Sequence, residues 1–306
     1  MAEGERPSPG TRVLAVTLNW RQPEMTLACV DALLAMSAPT TLDILVIDNG
    51  SGDGSAETLR RRLPPAVELL ALPENLGFGR GNNVGLRRAL DGDYNYALLI
   101  NNDAFAAPDM LARLLAAADH SIALISPKIL YEAQPNTVWF AGARRKPLTL
   151  DIADMGRGQP DSSTGPAERD VDYLLGTCLL VDLAAVAKVG LFDERYFMYF
   201  EDLDWSIRLQ QAGYRLRLAA GARLYHRVAI SSGGLESPLR RYHLARSGVL
   251  FWRTHWRQGN LAAIILLRVG SAIKMTARLL LSGNVSAAVA YWRGLRDGLR
   301  EKSGVA

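Results

Sequence analysis

The chain of 306 residues is long enough for one large α/β domain or two smaller ones, and its 49% hydrophobic and 22% charged residues are typical of a globular protein. Its two cysteines, Cys29 and Cys178, exclude a disulfide framework and lack metal-ligand spacing, which favours a reducing, cytoplasmic compartment. The net charge of +4 is uneven, because residues 240–302 contain 12 Arg and Lys against two acids and the rest contains 23 against 29. The basic end predicts an anionic partner.

Predicted strands and helices alternate through the first hundred residues. Residues 1–10 lack an apolar core, so they predict a disordered tail and not a signal peptide. Apolar runs predict four strands, at residues 13–18, 42–47, 67–72 and 96–100. Helices are predicted between them, at 23–36, at 56–63, and from the loop at 75–85 to about Leu90. This order is typical of an open, doubly wound, mainly parallel sheet.

The second half of the chain has a less regular pattern. Residues 139–170 are rich in Gly, Pro, Ser and charge, which predicts a flexible excursion. The other predicted strands are 122–126, 173–181 (interrupted at Gly176-Thr177-Cys178), 214–218 and 222–225. The predicted helices are 108–118, 183–189, one that ends at about Ala212, and everything from Tyr242 onward.

Polar residues follow directly on the apolar run Leu98 to Ile100. Asn101, Asn102 and Asp103 come next, and α/β enzymes bind their ligands just beyond the carboxyl ends of such strands. Most runs of this kind are strands that enter turns, so a functional interpretation depends on similar residues elsewhere. Further candidates at strand ends or in loops are Asp48, Glu201, Asp202, Asp204 and His226.

Several common nucleotide-binding and catalytic motifs are absent from the sequence. The glycines of residues 77–85 do not have dinucleotide-fold spacing, because Val84 or Asn82 stands where Gly or Ala is needed. The loop also follows the third predicted strand instead of the first. The sequence contains neither a P-loop nor a Gly-x-Ser-x-Gly nucleophile elbow, which argues against those enzyme classes.

Seven segments in this order resemble glycosyltransferase family 2, in its rhamnosyltransferase-like branch. The resemblance covers residues 13–255, most of the chain. It rests on residues 17–20, 46–55, 75–85, 99–103, 176–178, 200–205 and 225–226. It implies a GT-A fold, a mixed and mainly parallel sheet flanked by helices, and a nucleotide-diphosphate sugar donor with a divalent metal.

The resemblance also implies roles for individual residues. Asp202 would be the catalytic base, with Glu201 beside it helping to place the acceptor. Asp103 would bind the metal, with His226 as a second ligand. The residues expected on the donor side are Thr17, Asn19, Asp48, Asn75, Gly77, Arg80, Asn83, Asn101, Asn102 and Asp103. Those expected on the acceptor side are Gly176, Thr177 and Trp205.

Asn101 departs from the broader family, which usually has aspartate there. Its amide oxygen can accept a hydrogen bond from a ribose, but it adds no charge to a metal site. Asparagine is familiar at this position in the rhamnosyltransferase-like branch, so the departure questions two-carboxylate coordination more than activity.

The expected reaction needs a cation and a base. A leaving diphosphate gains negative charge, which Mg²⁺ or Mn²⁺ can neutralise, and an imidazole ligand favours Mn²⁺ somewhat. An acceptor hydroxyl must lose its proton to a positioned carboxylate. In-line attack inverts the anomeric centre, so we expect an inverting transferase that moves a sugar such as rhamnose onto a glycan or lipid-linked glycan. Such a role would belong to cell-envelope polysaccharide biosynthesis.

Two alternatives stay open at this point. A non-catalytic protein that binds sugar nucleotides is suggested by Asn101. A nucleotidyltransferase shares the general architecture, but it would want a Gly-rich basic loop after the first strand, where residues 18–23 read Leu-Asn-Trp-Arg-Gln-Pro.

The basic carboxyl end has two interpretations. Arg268, Lys274 and Arg278 interrupt its apolar run, which argues against a membrane span. It predicts either an amphipathic extension on an anionic membrane, anchored by Trp252, Trp256 and Trp292, or a helical cap on the catalytic domain. Nucleic acid is not expected, because no binding module accompanies the charge. Residues 241–246 are expected to face an acceptor pyrophosphate, and the protein to lie in the cytoplasm or peripherally at the inner face of the membrane.

The predicted domain organisation follows from these segments. We expect a tail at 1–10, a GT-A catalytic domain at 11–238 and a basic helical extension at 239–306. The catalytic domain is divided into a nucleotide-binding half, residues 11–103, and an acceptor half, residues 104–238.

Overall fold

The structure is a computed structural model that describes residues 10–37, 40–161, 168–228 and 237–301. The predicted tail, except for Gly10, lies outside the described residues. Twelve strands form among the described residues: β1 Arg12–Asn19, β2 Thr41–Asp48, β3 Val67–Ala71, β4 Tyr96–Asn101, β5 Ala104–Ala106, β6 Ile122–Tyr131, β7 Gln134–Phe140, β8 Ala143–Arg145, β9 Ile152–Asp154, β10 Glu168–Val171, β11 Cys178–Asp182 and β12 Arg215–His226.

Nine α-helices accompany these strands in the described part of the chain. They are α1 Pro23–Leu34, α2 Ser55–Arg62, α3 Phe78–Leu90, α4 Met110–Ala116, α5 Leu183–Val189, α6 Glu201–Gln211, α7 Pro238–His255, α8 Leu261–Leu281 and α9 Val285–Arg300. Local sequence explains several boundaries: Pro23 occupies the first turn of α1, and the Asp182 carboxylate accepts a hydrogen bond from the Ala185 N–H at the start of α5.

Ten strands form one mixed sheet. Its main path runs β10-β12-β6-β11-β4-β1-β2-β3, with β5 paired to β12 and β7 paired to β6. The four strands of the amino-terminal half are parallel, whereas β11 runs antiparallel between β4 and β6. The predicted mixed, mainly parallel sheet is therefore confirmed.

Helices cover both faces of this sheet, and each face has its own apolar core. Alternate residues of β1, such as Val13 and Ala15, pack on one side, while Leu14 and Val16 pack on the other. The central strands β1, β4 and β11 are buried on both faces, which is why they read as continuous apolar runs in the sequence. The parallel strands consequently present their carboxyl ends at one edge, where β1, β2 and β4 end in Asn19, Asp48 and Asn101.

The second half differs from its predicted outline. The interval at 139–170 was expected to be an irregular excursion, but its described part contains β8, β9 and β10. The two short strands expected at 214–218 and 222–225 are one strand, β12, whose pairing with β6 shifts between Ala219 and Arg223. The strand expected from Tyr173 begins only at Cys178. Tyr173 forms an isolated bridge with Ala143, and residues 176–177 form a turn in which the Gly176 N–H donates to Asp202 at the start of α6.

The carboxyl-terminal helices divide into a packed part and an exposed part. α7 and α9 lie against one another, and a Cβ at Gly294 would come 2.3 Å from the Tyr242 carbonyl oxygen. The prediction that Trp252 anchors the chain in lipid is wrong. Its indole N–H donates to the Thr149 carbonyl, and its ring packs edge-on against Phe200. Most of α8, by contrast, is exposed to solvent. Within the described residues no helix is both long and apolar enough to cross a membrane.

Candidate active site

The candidate site begins where three neighbouring parallel strands end. In the register of the sheet Asn19 lies beside Asp48, and Leu18 lies beside Asn101. The Asp48 carboxylate is buried and accepts hydrogen bonds from the Asn19 amide at 2.6 Å, the Ser51 hydroxyl at 2.6 Å and the Ser51 N–H at 3.2 Å. These donors satisfy a carboxylate that would otherwise be costly to bury.

A chain of hydrogen bonds continues from Asp48 toward Asp103. The Thr26 hydroxyl of α1 donates to the Asn19 side-chain oxygen at 2.8 Å. The Asn102 amide in turn donates to the Thr26 hydroxyl at 3.0 Å. The ends of β1, β2 and β4 are thereby tied together by side chains, which fixes the backbone next to Asp103.

Asp103 and His226 meet where β4 and β12 end. Oδ1 of Asp103 lies 3.0 Å from Nε2 of His226, and the two residues are 3% and 7% exposed. The Trp139 ring lies 4.4 Å from the imidazole ring and encloses it on one side. The structure therefore brings together the two predicted metal ligands, which are 123 residues apart in the chain.

Asp103 and His226 fit a divalent cation that also binds the substrate. In the described part of the chain, three or more His, Cys, Asp or Glu side chains do not converge as a metal site. One carboxylate and one imidazole are the contribution expected when diphosphate oxygens and water complete the coordination of Mg²⁺ or Mn²⁺.

Asp202 lies in the first turn of α6 and is held by three donors. Its Oδ2 accepts from the Tyr173 hydroxyl at 2.8 Å and from the Gly176 N–H at 3.0 Å, and its Oδ1 accepts from the Leu203 N–H at 2.9 Å. The positive end of the helix dipole also favours a negative charge here. Asp202 keeps partial solvent exposure, whereas Glu201 is only 5% exposed.

The turn at Gly176 and Thr177 connects Asp202 to the end of β4. Gly176 donates to Asp202, and the adjacent Thr177 carbonyl accepts a hydrogen bond from the Asn101 N–H at 2.9 Å. The predicted base and the Asn101–Asp103 segment are therefore fixed to one another through two residues. Their side chains lie at the same edge of the sheet.

Burial changes the acidity of the two neighbouring carboxyl groups. It raises the pKa of Asp202, although the hydrogen bonds from Gly176 and Tyr173 oppose that rise. Burial, and then the charge of Asp202, raise the pKa of Glu201 well above its ordinary value. A raised pKa makes Asp202 a stronger base when it is ionised.

The backbone before α6 is strained and is supported by α7. Tyr199 and Phe200 have φ of 69° and 70°, a conformation that bulky residues rarely adopt. The Ser247 hydroxyl of α7 donates to the Met198 carbonyl at 2.8 Å, and Phe200 packs against Phe251 of the same helix. The first helix of the predicted extension is thus part of the structure that places Asp202.

The glycine-rich loop at residues 75–85 lies beside the end of β2, at the same edge of the sheet. The Gly77 N–H donates to the Asn75 side-chain oxygen at 2.8 Å, and the Asn49 amide donates to the Gly77 carbonyl at 3.0 Å. Gly77 has φ of 80°, and a Cβ there would lie 2.3 Å from the Phe197 carbonyl oxygen. Arg80 is exposed one turn later, 3.6 Å from Glu194. Asn75, Gly77 and Arg80 accordingly stay candidates for nucleotide contact.

Four predicted contact residues have no exposed surface and need correction. The prediction of direct ligand contact is wrong for the side chains of Thr17, Asn19, Asn83 and Trp205, because each residue is 0% exposed. Asn83 exchanges two hydrogen bonds with the Phe192 backbone, and the Trp205 indole donates to the Gly190 carbonyl. Asn19 acts on Asp48, as described above. These residues support the site from inside the core.

Residues 241–246 lie on α7, and their expected contact with an acceptor pyrophosphate stays a prediction. His243 stacks on Phe197 with ring centres 4.7 Å apart, and Arg246 donates to the Arg195 carbonyl. Burial, with Arg246 nearby, lowers the pKa of His243 to about 4, so its ring is neutral at neutral pH. The segment lines a pocket of about 290 Å³ beside Leu76 of the donor-side loop.

Sequence reasoning missed Tyr173, Ser51 and Thr26. Each supplies a hydroxyl to a candidate carboxylate or amide from a different element. Ser51 stands in the matched segment 46–55 and was within reach of motif reasoning. Tyr173 carries no local signal, because Asp202 is 29 residues away. Thr26 lies in the regular pattern of α1, which does not mark its contact with Asn19.

Comparisons with known proteins agree with this architecture. The model of the family described as glycosyl transferase family 2 matches residues 13–162, and that of glycosyl transferase family group 2 matches residues 96–293. A Mycobacterium tuberculosis N-acetylglucosaminyl-diphospho-decaprenol L-rhamnosyltransferase is 30% identical over 279 residues, which cover 81% of this chain and 90% of the relative. The Escherichia coli rhamnosyltransferase WbbL is 24% identical over 55% of this chain and 67% of its own length.

Solved structures share the fold at low sequence identity. The mannosyltransferase PcManGT from Pyrobaculum calidifontis, in complex with GDP-Man and Mn²⁺, has a TM-score of 0.56 at 14% identity, over 98% of this chain and 92% of its own. GalNAc-T7 with UDP, GalNAc and Mn²⁺ has a TM-score of 0.58 at 13% identity, over 81% of this chain and 51% of its own. The architecture is thus that of GT-A glycosyltransferases. With the family matches and the 30% identical relative, it shows that the chain belongs to glycosyltransferase family 2 and is a glycosyltransferase.

Proposed function

We propose that this glycosyltransferase moves a rhamnose-type sugar from a nucleotide-diphosphate donor to a polyprenyl-diphosphate-linked glycan. The decaprenol-linked substrate named for the Mycobacterium tuberculosis relative supports such an acceptor. The reaction would serve cell-envelope polysaccharide biosynthesis, with the enzyme in the cytoplasm and peripheral at the inner, anionic face of the membrane.

The donor would bind across the carboxyl ends of β1, β2 and β4. Asp48, which Asn19 and Ser51 hold in place, would contact the nucleotide base through its carboxylate or adjacent backbone. Asn75, Gly77 and Arg80 would line the nucleotide on the side of α3, and Asn101 and Asn102 would contact the ribose. Structural relatives that carry GDP-Man or UDP support a nucleotide-sugar donor in this fold.

Asp103 and His226 would hold a divalent cation together with the donor diphosphate. The cation would supply Lewis-acid stabilisation of the charge that develops on the leaving diphosphate. The Mn²⁺ named with two structural relatives supports this role. Asn101 contributes no charge there, which leaves the substrate phosphates as the main anionic partners.

Asp202 would accept the proton of the acceptor hydroxyl. Three donors orient its carboxylate, and its partial exposure allows an acceptor to approach, whereas Glu201 is almost enclosed. Attack on the face opposite the diphosphate would invert the anomeric carbon. Gly176 and Thr177 would border the acceptor beside Asp202.

One observation carries this assignment. The 176–177 turn joins Asp202 to the Asn101–Asp103 segment through two hydrogen bonds. The Gly176 N–H donates to the Asp202 carboxylate at 3.0 Å, and the Asn101 N–H donates to the Thr177 carbonyl at 2.9 Å. The proposed base and the proposed metal ligand are therefore held as one rigid unit, as a direct-displacement site requires.

The test is Asp202→Asn, which retains the shape of the side chain and removes its basicity. We expect the donor Kd, measured by calorimetry with Mn²⁺ present, to change less than about threefold, while kcat falls about 10²–10⁴-fold. Asp43→Asn, at the opposite end of β2, is the control for the same loss of charge. Undiminished turnover in Asp202→Asn would remove Asp202 from the role of base.

A further inference from the structure

The helix pair α8 and α9 exposes a concentration of apolar side chains. Across the described residues 19 large hydrophobic side chains are exposed, and 12 of these lie between Leu261 and Leu299. Isolated exposed leucines are ordinary on protein surfaces, but a contiguous set of this size marks an interaction surface. The packed helix α7 contributes only Leu239 to the exposed set.

One side of α8 carries four of these 12 side chains. Leu266, Val269, Ile273 and Leu280 are 78%, 53%, 65% and 51% exposed, and their spacing of three, four and seven residues puts them on one helical face. Leu279 is 1% exposed and points away from this face, and it packs with Ala287 and Ala288 of α9. α8 therefore turns one apolar face inward and a broader one outward.

The apolar surface continues onto α9 through a groove of about 510 Å³. Leu280 of α8 lines one wall, and Val289 and Trp292 of α9 line the other. The Trp292 indole donates to the Thr276 hydroxyl at 3.1 Å, which joins the two helices across the groove. Arg293 and Arg296 also line it, so cations border the apolar wall.

The helix pair α8 and α9 is mainly cationic. From Leu261 to Arg300 the sequence has six Arg and Lys and one acidic residue, Asp297, which pairs with Arg296 at 3.0 Å. Lys274 and Arg278 lie one helical turn apart on α8. An apolar face flanked by cations and a half-exposed tryptophan is complementary to an anionic bilayer surface. The lipid acyl chains can bury the apolar side chains, and the lipid phosphates can pair with the cations.

We propose that the outer face of α8 and α9 lies in the headgroup region of an anionic lipid bilayer. Leu266 and Ile273 would enter the acyl boundary, and Arg293 and Arg296 would meet lipid phosphates. α9 packs on α7, and α7 supports the segment before Asp202. Docking by this face would therefore hold the active site at a fixed position relative to the membrane.

This inference rests on the proposed lipid-linked acceptor for its biological purpose, but its test needs no acceptor. Flotation of the full chain with vesicles of phosphatidylcholine containing 30% phosphatidylglycerol measures membrane binding alone. Donor hydrolysis or transfer to a water-soluble acceptor measures catalysis separately. Either result can fail while the other stands.

The apolar contribution is tested by Leu266→Glu with Ile273→Glu. Both side chains are largely exposed, so the double variant is expected to fold and to keep donor binding. The fraction bound to anionic vesicles should fall at least about tenfold. Leu34→Glu with Leu148→Glu changes two exposed apolar residues elsewhere and should bind like the unchanged protein.

The electrostatic contribution is tested by Arg293→Gln with Arg296→Gln. Each lost cation should weaken partitioning about fivefold at low salt, and the effect should vanish on pure phosphatidylcholine. Arg60→Gln with Arg61→Gln, in α2, is the control for equal loss of charge.

Three outcomes would overturn the proposal. The unchanged protein could fail to float with anionic vesicles, or the Glu double variant could float equally well. Light scattering could also show a dimer that Leu266→Glu with Ile273→Glu dissociates, with no change in vesicle binding. That last result would assign the face to a second copy of the chain.

Discussion

The Tyr173 hydroxyl donates a hydrogen bond to Oδ2 of Asp202 at 2.8 Å. Burial and the adjacent carboxylate raise the pKa of Tyr173 well above its ordinary value, so the hydroxyl keeps its proton and remains a donor. Gly176 donates to the same oxygen. The two donors stabilise the ionised form of Asp202 and oppose the effect of burial, which keeps the proposed base ionised at a lower pH than burial alone would allow.

Tyr173→Phe should therefore move the acid limb of the kcat/KM profile to higher pH. A hydrogen bond to a charged group contributes about 1.5–3 kcal/mol, and 1.36 kcal/mol corresponds to one pKa unit, so a shift of about one unit is expected. Activity well above the limb should change little. Tyr94→Phe, which removes a hydroxyl that donates to the distant Asp43, should leave the profile in place. An unmoved acid limb in Tyr173→Phe would contradict the role of this hydrogen bond.

The raised pKa of Glu201 predicts that the stability of the fold depends on pH. Its pKa in the folded state is raised by burial and by Asp202, so folding favours the protonated form. This favourable contribution is complete below the unfolded pKa of about 4.3 and is lost as pH rises toward the folded value. Above about pH 5 the free energy of unfolding should thus decline by about 1.4 kcal/mol for each unit that separates the two pKa values.

Glu201→Gln removes this titration and keeps the side-chain shape. Urea unfolding between pH 4 and pH 8 should show a flatter stability profile than that of the unchanged protein, with a gain in stability at pH 8. The exposed Glu57→Gln is the control and should follow the unchanged protein. Parallel profiles for Glu201→Gln and the unchanged protein would show that Glu201 is not held protonated by the fold.

The alternation of strands and helices was predictable because its causes are local. β1 and β4 are apolar runs buried on both faces, β2 is buried from Ile44 onward, and β3 is a shorter, largely exposed apolar run at the edge of the sheet. α1 has helical spacing with Pro23 in its first turn. β12 was predicted as two strands because Ala219, Ala220 and Gly221 interrupt the apolar pattern, and only pairing with β6 shows that the strand continues through the shift.

The geometry of the site was less predictable because its contacts join distant segments. Motif resemblance named Asp103, His226 and Asp202, but neither spacing nor composition indicates that the residues around Gly176 turn toward Asp202. It also named Asn83 and Trp205 as contact residues, although they hold the 190–192 backbone inside the core. A motif thus identifies residues that a site depends on without separating those that face the ligand from those that support it.

The proposed metal site predicts cation-dependent donor binding. Asp103→Asn removes the negative donor while retaining the amide shape, so the Kd for a nucleotide-diphosphate sugar should rise at least about tenfold with Mn²⁺ present. Without added cation, and with a chelator, the two proteins should bind the donor equally weakly. Asp109→Asn, whose exposed carboxylate pairs with Arg113, is the control. Tight, chelator-resistant binding by the unchanged protein would contradict a metal-assisted donor site.

Asp204 and His255 form a second buried contact between α6 and the end of α7. Their atoms Oδ1 and Nε2 are 2.7 Å apart, and the residues are 1% and 5% exposed. His255→Ala would leave the Asp204 carboxylate buried with Arg208 as its remaining side-chain partner, which should lower the free energy of unfolding by about 3 kcal/mol. Urea unfolding measures the loss, and His120→Ala on the surface is the control. A loss below about 1 kcal/mol would show that α7 is not fastened to α6 by this pair.

Gly77 predicts how sensitive donor binding is to the shape of its loop. A Cβ at this position would meet the Phe197 carbonyl oxygen at 2.3 Å, and that oxygen already accepts a hydrogen bond from the Phe78 N–H. Gly77→Ala must therefore move the loop or the segment before α6, so we expect the donor Kd to rise about tenfold or more with a decrease in kcat. Gly213→Ala is a matched control, because Gly213 has φ of 90° and open space around its Cβ position. Backbone strain from an alanine at positive φ should make both variants less stable by about 1 kcal/mol. A loss of donor binding seen only in Gly77→Ala therefore reflects the changed shape of the Gly77 loop. Equal donor affinity in the two alanine variants would show that the Gly77 loop lies outside the nucleotide site.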